Sequence, residues 1–188
     1  MGVTCILIML SFEEVTLIKR TYPTMHCSDK DFYLEYTTLQ TLKPETIYEM
    51  GVGSGEWIMS MQECLDYEPW WIGVENFVSA YFEVDYYGPL PRTPSELTSQ
   101  IAIPKFKHYY THWEPNIQDQ IPAVACRLDM SLKYQDLYDI ITDHCDKLFI
   151  DDVYKPDYKF RLDFALNSNM QIFWEGEKEV CLTQPLAG

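Results

Sequence analysis

A chain of 188 residues is long enough for one domain that buries its own core without disulfide support. Acidic side chains outnumber basic ones by 29 to 14, a net charge of −15, while 47% of the residues are apolar and 15% aromatic; this is a globular composition whose charge disfavours a nucleic-acid partner. No apolar run reaches the ~20 residues needed to span a bilayer, so no membrane association is expected.

Val3 to Leu10 is the most apolar stretch, but it has neither a basic leading segment nor a small-residue cleavage site. It reads as a buried strand or helix start rather than a signal peptide. Ser28-Asp29-Lys30-Asp31 carries the signature of a helix N-terminus; Phe32, Tyr36 and Leu39 follow at helical spacing, and Lys43-Pro44 ends the run. Ile47-Tyr48-Glu49-Met50 is then a short strand that runs into Gly51-Val52-Gly53-Ser54-Gly55. Trp57 opens a helix that buries Ile58, Met61 and Leu65 and stops before Pro69. Glycines at alternate positions serve where the backbone turns sharply and where a ligand lies directly against it. Glu56 occupies the position that the dinucleotide fingerprint G-x-G-x-x-G reserves for glycine, which points away from NAD and towards a nucleoside without a pyrophosphate. Trp70 to Glu75 is a second strand, and its terminal acid lies 20 positions after Gly55, the offset of a βαβ unit with an acid on ribose hydroxyls.

Together, Tyr48 to Trp57 and Trp70-Trp71-Ile72-Gly73-Val74-Glu75-Asn76 resemble the first two motifs of class I S-adenosylmethionine-dependent methyltransferases, E/D-x-G-x-G-x-G and a strand ending in an acid. The resemblance covers roughly residues 45 to 77 and implies S-adenosylmethionine as cofactor. It implies Glu49 near the methionine end of that cofactor and Gly51, Gly53, Ser54 and Gly55 as its backbone cradle. By the same resemblance Glu75 and Asn76 serve the ribose, and Asp129 and Met130 the adenine.

Further along, Val78 to Tyr87 is predicted as a helix and Gly88 to Pro94 as a loop, the candidate acceptor lid. Lys105 to Trp113 interleaves bases with aromatics, a pattern shared by single-strand binders and by ordinary amphipathic strands; the acidity of the chain favours the strand. Ala123 to Asp129 and Lys147 to Asp152 are predicted strands ending in acids, with helices over Tyr134 to Thr142 and Pro156 to Asn167. Gln171 to Trp174 and Glu179 to Thr183 flank Glu175-Gly176-Glu177 as a hairpin. The fold expected is therefore α/β: a Rossmann-like, mainly parallel sheet flanked by helices, with an antiparallel C-terminal hairpin, in a single domain spanning residues 1–188. Only 36 residues follow Asp152, so measured against the family a helix–strand unit or part of the hairpin is expected to be missing or abbreviated.

The family's fourth motif would fall at Phe149-Ile150-Asp151-Asp152, which makes Asp151, Asp152 and Tyr154 candidate catalytic residues, as a base for an acceptor that carries a proton. Two adjacent acids lack the further oxygen ligands a divalent cation requires, and neither His108/His112 nor His144-Cys145 has a second cluster at zinc spacing, so no metal is expected. Cysteines 5, 27, 64, 126, 145 and 181 include no C-x-x-C pair and read as reduced thiols of a cytoplasmic protein. The activity expected is transfer of a methyl group to a small molecule or a protein side chain. Two rivals stay open: a non-catalytic interaction protein on the same fold, and an enzyme that degrades S-adenosylmethionine without an acceptor.

Overall fold

Local signals start most of the helices. In the computed structural model, which describes residues 9–22, 27–75, 93–110, 125–128, 145–155 and 159–185, helix α1 (Phe12–Lys19) begins with a reciprocal capping box between Ser11 and Glu14. Helix α2 (Asp29–Leu42) is capped by Ser28, whose hydroxyl accepts from the Asp31 N–H at 3.0 Å. It ends at Lys43, in the left-handed region with φ 47°, just ahead of Pro44. Strand β1 (Thr46–Met50), helix α3 (Glu56–Cys64) and strand β2 (Trp70–Glu75) make the βαβ unit. Helix α4 (Pro94–Gln100), with Pro94 at its first position, and strand β3 (Phe106–Tyr110) follow. Strands β4 (Ala125–Leu128) and β5 (Lys147–Ile150), helix α5 (Lys159–Asn167) and strands β6 (Gln171–Glu175) and β7 (Val180–Thr183) complete the described elements.

The seven described strands form one sheet in the order β3-β2-β1-β4-β5-β7-β6. The first five are parallel, β7 is antiparallel to β5, and β6 is antiparallel to β7. The expected helix after β5 and both hairpin strands are present, and they are brief, with nine residues in α5 and four in β7.

The period-two pleat sends alternate residues of β1 to opposite cores. Tyr48 and Met50 pack with Ile72, Val74, Leu148, Ile150, Val180 and Leu182 against Phe164 and Ala165 of α5. Ile47 packs with Trp71, Phe149 and Cys181 against Val15 of α1, Phe32, Tyr36 and Leu39 of α2, and Trp57, Ile58 and Met61 of α3. Glu49 and Arg127 lie on this second face, which places charge among its apolar side chains. The predicted helices over residues 78–87 and 134–142 lie outside the described residues, as do residues 3–8 of the apolar N-terminal stretch, Asn76, Asp129, Met130 and residues 88–92 of the predicted loop 88–94, whose last two residues, Thr93 and Pro94, instead cap and open α4.

Candidate cofactor site

The sheet order reverses at β1, which has β2 on one side and β4 on the other. In open α/β sheets this switch point, at the carboxyl ends of the strands, is where ligands bind. The glycine turn sits there. Gly51, Gly53 and Gly55 have φ values of 89°, 55° and 75°, a region that side chains disfavour, so the alternating glycines follow from backbone geometry. The turn is held by Gly51 N–H donating to Val74 O at 2.8 Å and Gly55 N–H donating to Val52 O at 2.9 Å.

The glycines differ in what surrounds them. A Cβ at Gly53 would meet nothing within 4 Å, so this backbone borders open space. A Cβ at Gly55 would collide with the Ile101 side chain, so this glycine admits the segment after α4 and is architectural. Gly73 on β2 plays a similar part, since its missing side chain lets Val52 approach the strand. Ser54 is half-buried in the turn. Gly55 is also the N-cap of α3 and brings no side chain to its first turn. Glu75 is the last residue of β2, in register with Tyr110 of β3.

Glu49 is buried, as are Glu35 on α2, Asp151 after β5, and Glu179 just ahead of β7. All converge on Arg127, which lies in register with Glu49 across the β1–β4 ladder. Arg127 Nε donates to Glu35 Oε1 at 2.9 Å, Nη1 to Glu49 Oε1 at 3.3 Å and Nη2 to Asp151 Oδ2 at 3.0 Å. The Trp57 ring lies 5.2 Å from the guanidinium carbon, and its indole N–H donates to Glu35 Oε2 at 2.8 Å. Asp151 is held further by the Asp152 N–H on Oδ1 at 2.7 Å, while Arg161 of α5 donates to the Asp151 carbonyl at 2.9 Å.

Glu179 arrives with the hairpin turn. Asp31, buried at the start of α2, accepts from the N–H groups of Glu177 at 2.7 Å and Lys178 at 2.9 Å, and Val153 N–H donates to Lys178 O at 3.1 Å. Burial pushes the Glu179 carboxyl well above its ordinary pKa, and the neighbouring Glu35 charge adds to the effect. The Glu35 pKa is raised by burial too, against the opposing pull of Arg127. Of the two, the Glu179 carboxyl is shifted the further upward, which favours its neutral form beside Glu35.

Asp152 and Tyr154 form a separate group nearer the surface. Asp152 is left-handed with φ 58°, and Lys155 Nζ lies 2.6 Å from its Oδ2. Tyr154 is 55% exposed, and its phenol is raised above the ordinary value by desolvation and by its hydrogen bond to Asp152. The structure thus brings Glu49, the glycine turn and Asp151 together and sets Asp152 and Tyr154 apart. Among the described residues no three His, Cys, Asp or Glu side chains are arranged to hold a metal ion, and no helix is long and apolar enough to cross a membrane. A guanidinium occupies the centre of the carboxylate cluster.

Within the interleaved stripe of bases and aromatics, residues 106–110 are β3, an edge strand among the described ones, and residues 111–113 lie outside the described residues; Lys107 Nζ is 4.8 Å from the centre of the Trp70 ring and Lys105 donates to Glu68 O at 2.8 Å. Both lysines are taken up by local packing.

Neither a protein-family model nor a curated protein sequence matches the chain. Solved structures do. Fibrillarin from Aeropyrum pernix, with natively bound S-adenosyl-L-methionine, is 12% identical with a TM-score of 0.55, the match covering 74% of this chain and 66% of that one. The chain therefore spans just under two thirds of that fibrillarin. The S-adenosylhomocysteine-bound methyltransferase PaMTH1 of Podospora anserina is 13% identical with a TM-score of 0.57, over 93% of this chain and 87% of that one. The Bacillus cereus O-methyltransferase in complex with S-adenosylhomocysteine is 11% identical with a TM-score of 0.55, over 92% and 90%. The chain has the class I methyltransferase fold. On this methyltransferase-like chain the residues that sequence reasoning missed are Arg127, Glu35 and Glu179, which are brought together from well-separated parts of the sequence. Their signal was a charged residue in an apolar phase: Glu35 falls on the same α2 face as Phe32 and Leu39, and Arg127 interrupts the run Ala123 to Leu128.

Proposed function

We propose that this chain binds S-adenosylmethionine and transfers its methyl group to a small molecule or to a basic protein side chain. The observation that carries the reading is Gly53, left-handed at the switch point and bordered by the open space that a nucleoside cofactor needs. The solved structures that hold S-adenosylmethionine or S-adenosylhomocysteine share this fold, which supports the same cofactor here. Gly51, Gly53, Ser54 and Gly55 would form the cradle and Glu49 would stand at the methionine end. Glu75 with Asn76 would take the ribose, and Asp129 with Met130 the adenine.

Bound there, S-adenosylmethionine would supply an electrophilic methyl group on a sulfonium, whose leaving thioether is neutral. With so good a leaving group, what remains for the protein is orientation, and a base where the acceptor carries a proton. Of the three candidates, Asp152 fits that base best: it is partly exposed and oriented by Lys155. Tyr154 keeps its proton at neutral pH and can donate a hydrogen bond to an acceptor. Asp151 is committed to Arg127 and to the Asp152 N–H and would act by holding the strand end in place. Residues 44–91 contain nine acids and no Lys or Arg, and they include β1, the glycine turn, α3 and β2; this favours a neutral or cationic acceptor over a phosphate-rich one.

Thermal unfolding with and without S-adenosylmethionine, S-adenosylhomocysteine and NAD tests the reading. Ligand at about 100 times its Kd adds roughly 2.7 kcal/mol, and each kcal/mol moves the Tm of a domain this size by ~2–4 °C. A rise of several degrees with either adenosyl ligand and none with NAD is expected. The rise should vanish in Gly53→Trp, which fills the open space. No shift at saturating ligand would instead favour an interaction protein on a methyltransferase fold.

A further inference from the structure

We propose that Arg127 is a positioning residue of the cofactor site, a single guanidinium that holds Glu49 and Asp151 in fixed orientation from the β4 strand while its third edge is taken by Glu35. This rests on the cofactor reading above. Three nitrogens of one rigid plane reach three carboxylates on three elements: α2, β1 and the segment after β5. A planar fork fixes its acceptors relative to one another as a flexible ammonium cannot. Trp57 covers the plane, and Arg127 is only 3% exposed, so water does not compete for these bonds.

Four buried acids lie about Arg127, with Arg161 donating to the Asp151 carbonyl, and burial together with the Glu35 charge favours the neutral acid form of Glu179. Neither of its carboxyl oxygens meets a hydrogen-bond donor among the described residues, and Glu35 is the neighbour whose charge most disfavours its ionisation. The charged and titratable groups that face it are Glu35 on α2, Arg127 on β4, Asp151 after β5 and Cys27 ahead of α2, while Asp31 secures the turn that carries it. Loss of the Glu179 proton would put a second charge beside Glu35 and draw Arg127 that way. The bond to Glu49, at 3.3 Å the longest of the three, would yield first. Cofactor affinity should then fall as pH rises through the Glu179 titration.

The test is calorimetric titration of S-adenosylhomocysteine into the full chain from pH 6 to 9.5, in wild type, Arg127→Gln, Arg127→Lys and Glu179→Gln, with circular dichroism to verify folding. Arg127→Gln should lose affinity at least tenfold at pH 7, with Arg127→Lys intermediate. Glu179→Gln, whose amide can still donate to Glu35, should bind as wild type at pH 7. It should also lack the alkaline decline of wild type; the ligand's own titration cancels in that comparison. A folded Arg127→Gln protein with wild-type affinity would overturn the proposal. If Arg127→Gln does not fold, the profiles decide, and superposable wild-type and Glu179→Gln curves would also overturn it. Failure of wild type to bind at any pH would overturn the cofactor reading itself, a result distinct from either of these.

Discussion

Gly53 and Gly55 are two positions apart in one turn, yet they do different work. Both have positive φ, so alanine at either meets left-handed strain of about 1–2 kcal/mol. At Gly55 the new methyl also strikes Ile101, and overpacking adds ~1–3 kcal/mol. The two variants should therefore separate by readout. Gly55→Ala should show the larger loss of Tm, and Gly53→Ala the larger loss of S-adenosylhomocysteine affinity, about tenfold or ~1.4 kcal/mol. Measuring Tm and Kd on both proteins checks this, and an identical ranking in the two assays would mean that the open space at Gly53 is not the ligand's. Glu179 makes a second prediction at this scale. Its folded pKa is raised, so its contribution to stability is fully present below the unfolded glutamate value of ~4.3 and is lost as pH rises towards the folded value. Glutamine carries no such dependence. The Tm of Glu179→Gln should gain on that of wild type from pH 5 to pH 8, as parallel thermal melts would show; a constant difference between them would mean that Glu179 is ionised in the fold.

Elements were more legible in the sequence than the contacts between them. The glycine turn, the acid-terminated strands and the hairpin each announce themselves within about ten residues, because φ restrictions and two-residue alternation are local. The capping box Ser11-Phe12-Glu13-Glu14 is equally local, and it is masked in the sequence only by the apolar run of residues 3–10 that leads straight into it. Arg127 was not legible in the same way: its partner Glu35 is 92 positions away, and no local rule joins α2 to β4. The hairpin shows how such long-range placement is secured. Asp31, already serving the first turn of α2, receives two backbone N–H groups from residues 177 and 178 with no water to replace it. Asp31→Ala should leave these donors unsatisfied at a cost of ~2–4 kcal/mol, more than one ordinary hydrogen bond. Hydrogen exchange should show the loss of protection concentrated in β6 and β7. Uniform loss across the sheet would mean that the turn is secured by something other than this clamp.

At the scale of the whole molecule, the question is whether two cores on opposite faces of one sheet can melt apart. Successive residues of β1 belong to different cores: Ile47 to the one under α1, α2 and α3, Tyr48 to the one under α5. The same alternation holds in β5, where Phe149 faces one way and Leu148 and Ile150 the other. Neither layer can lose its strands while the other keeps them. The Arg127 cluster adds a second tie by joining α2, β1, β4 and the segment after β5 through buried ion pairs, whose rupture on one side costs ~3–5 kcal/mol because it strands a charge. Unfolding should therefore be a single cooperative transition. Far-UV circular dichroism reports the whole backbone, while tryptophan fluorescence weights the layer that holds Trp57, Trp71 and Trp174. The two denaturation curves should superpose, with one midpoint and one slope. A fluorescence transition that precedes the circular dichroism transition would mean that the α1–α2–α3 layer opens alone, and that the sheet does not couple its two faces.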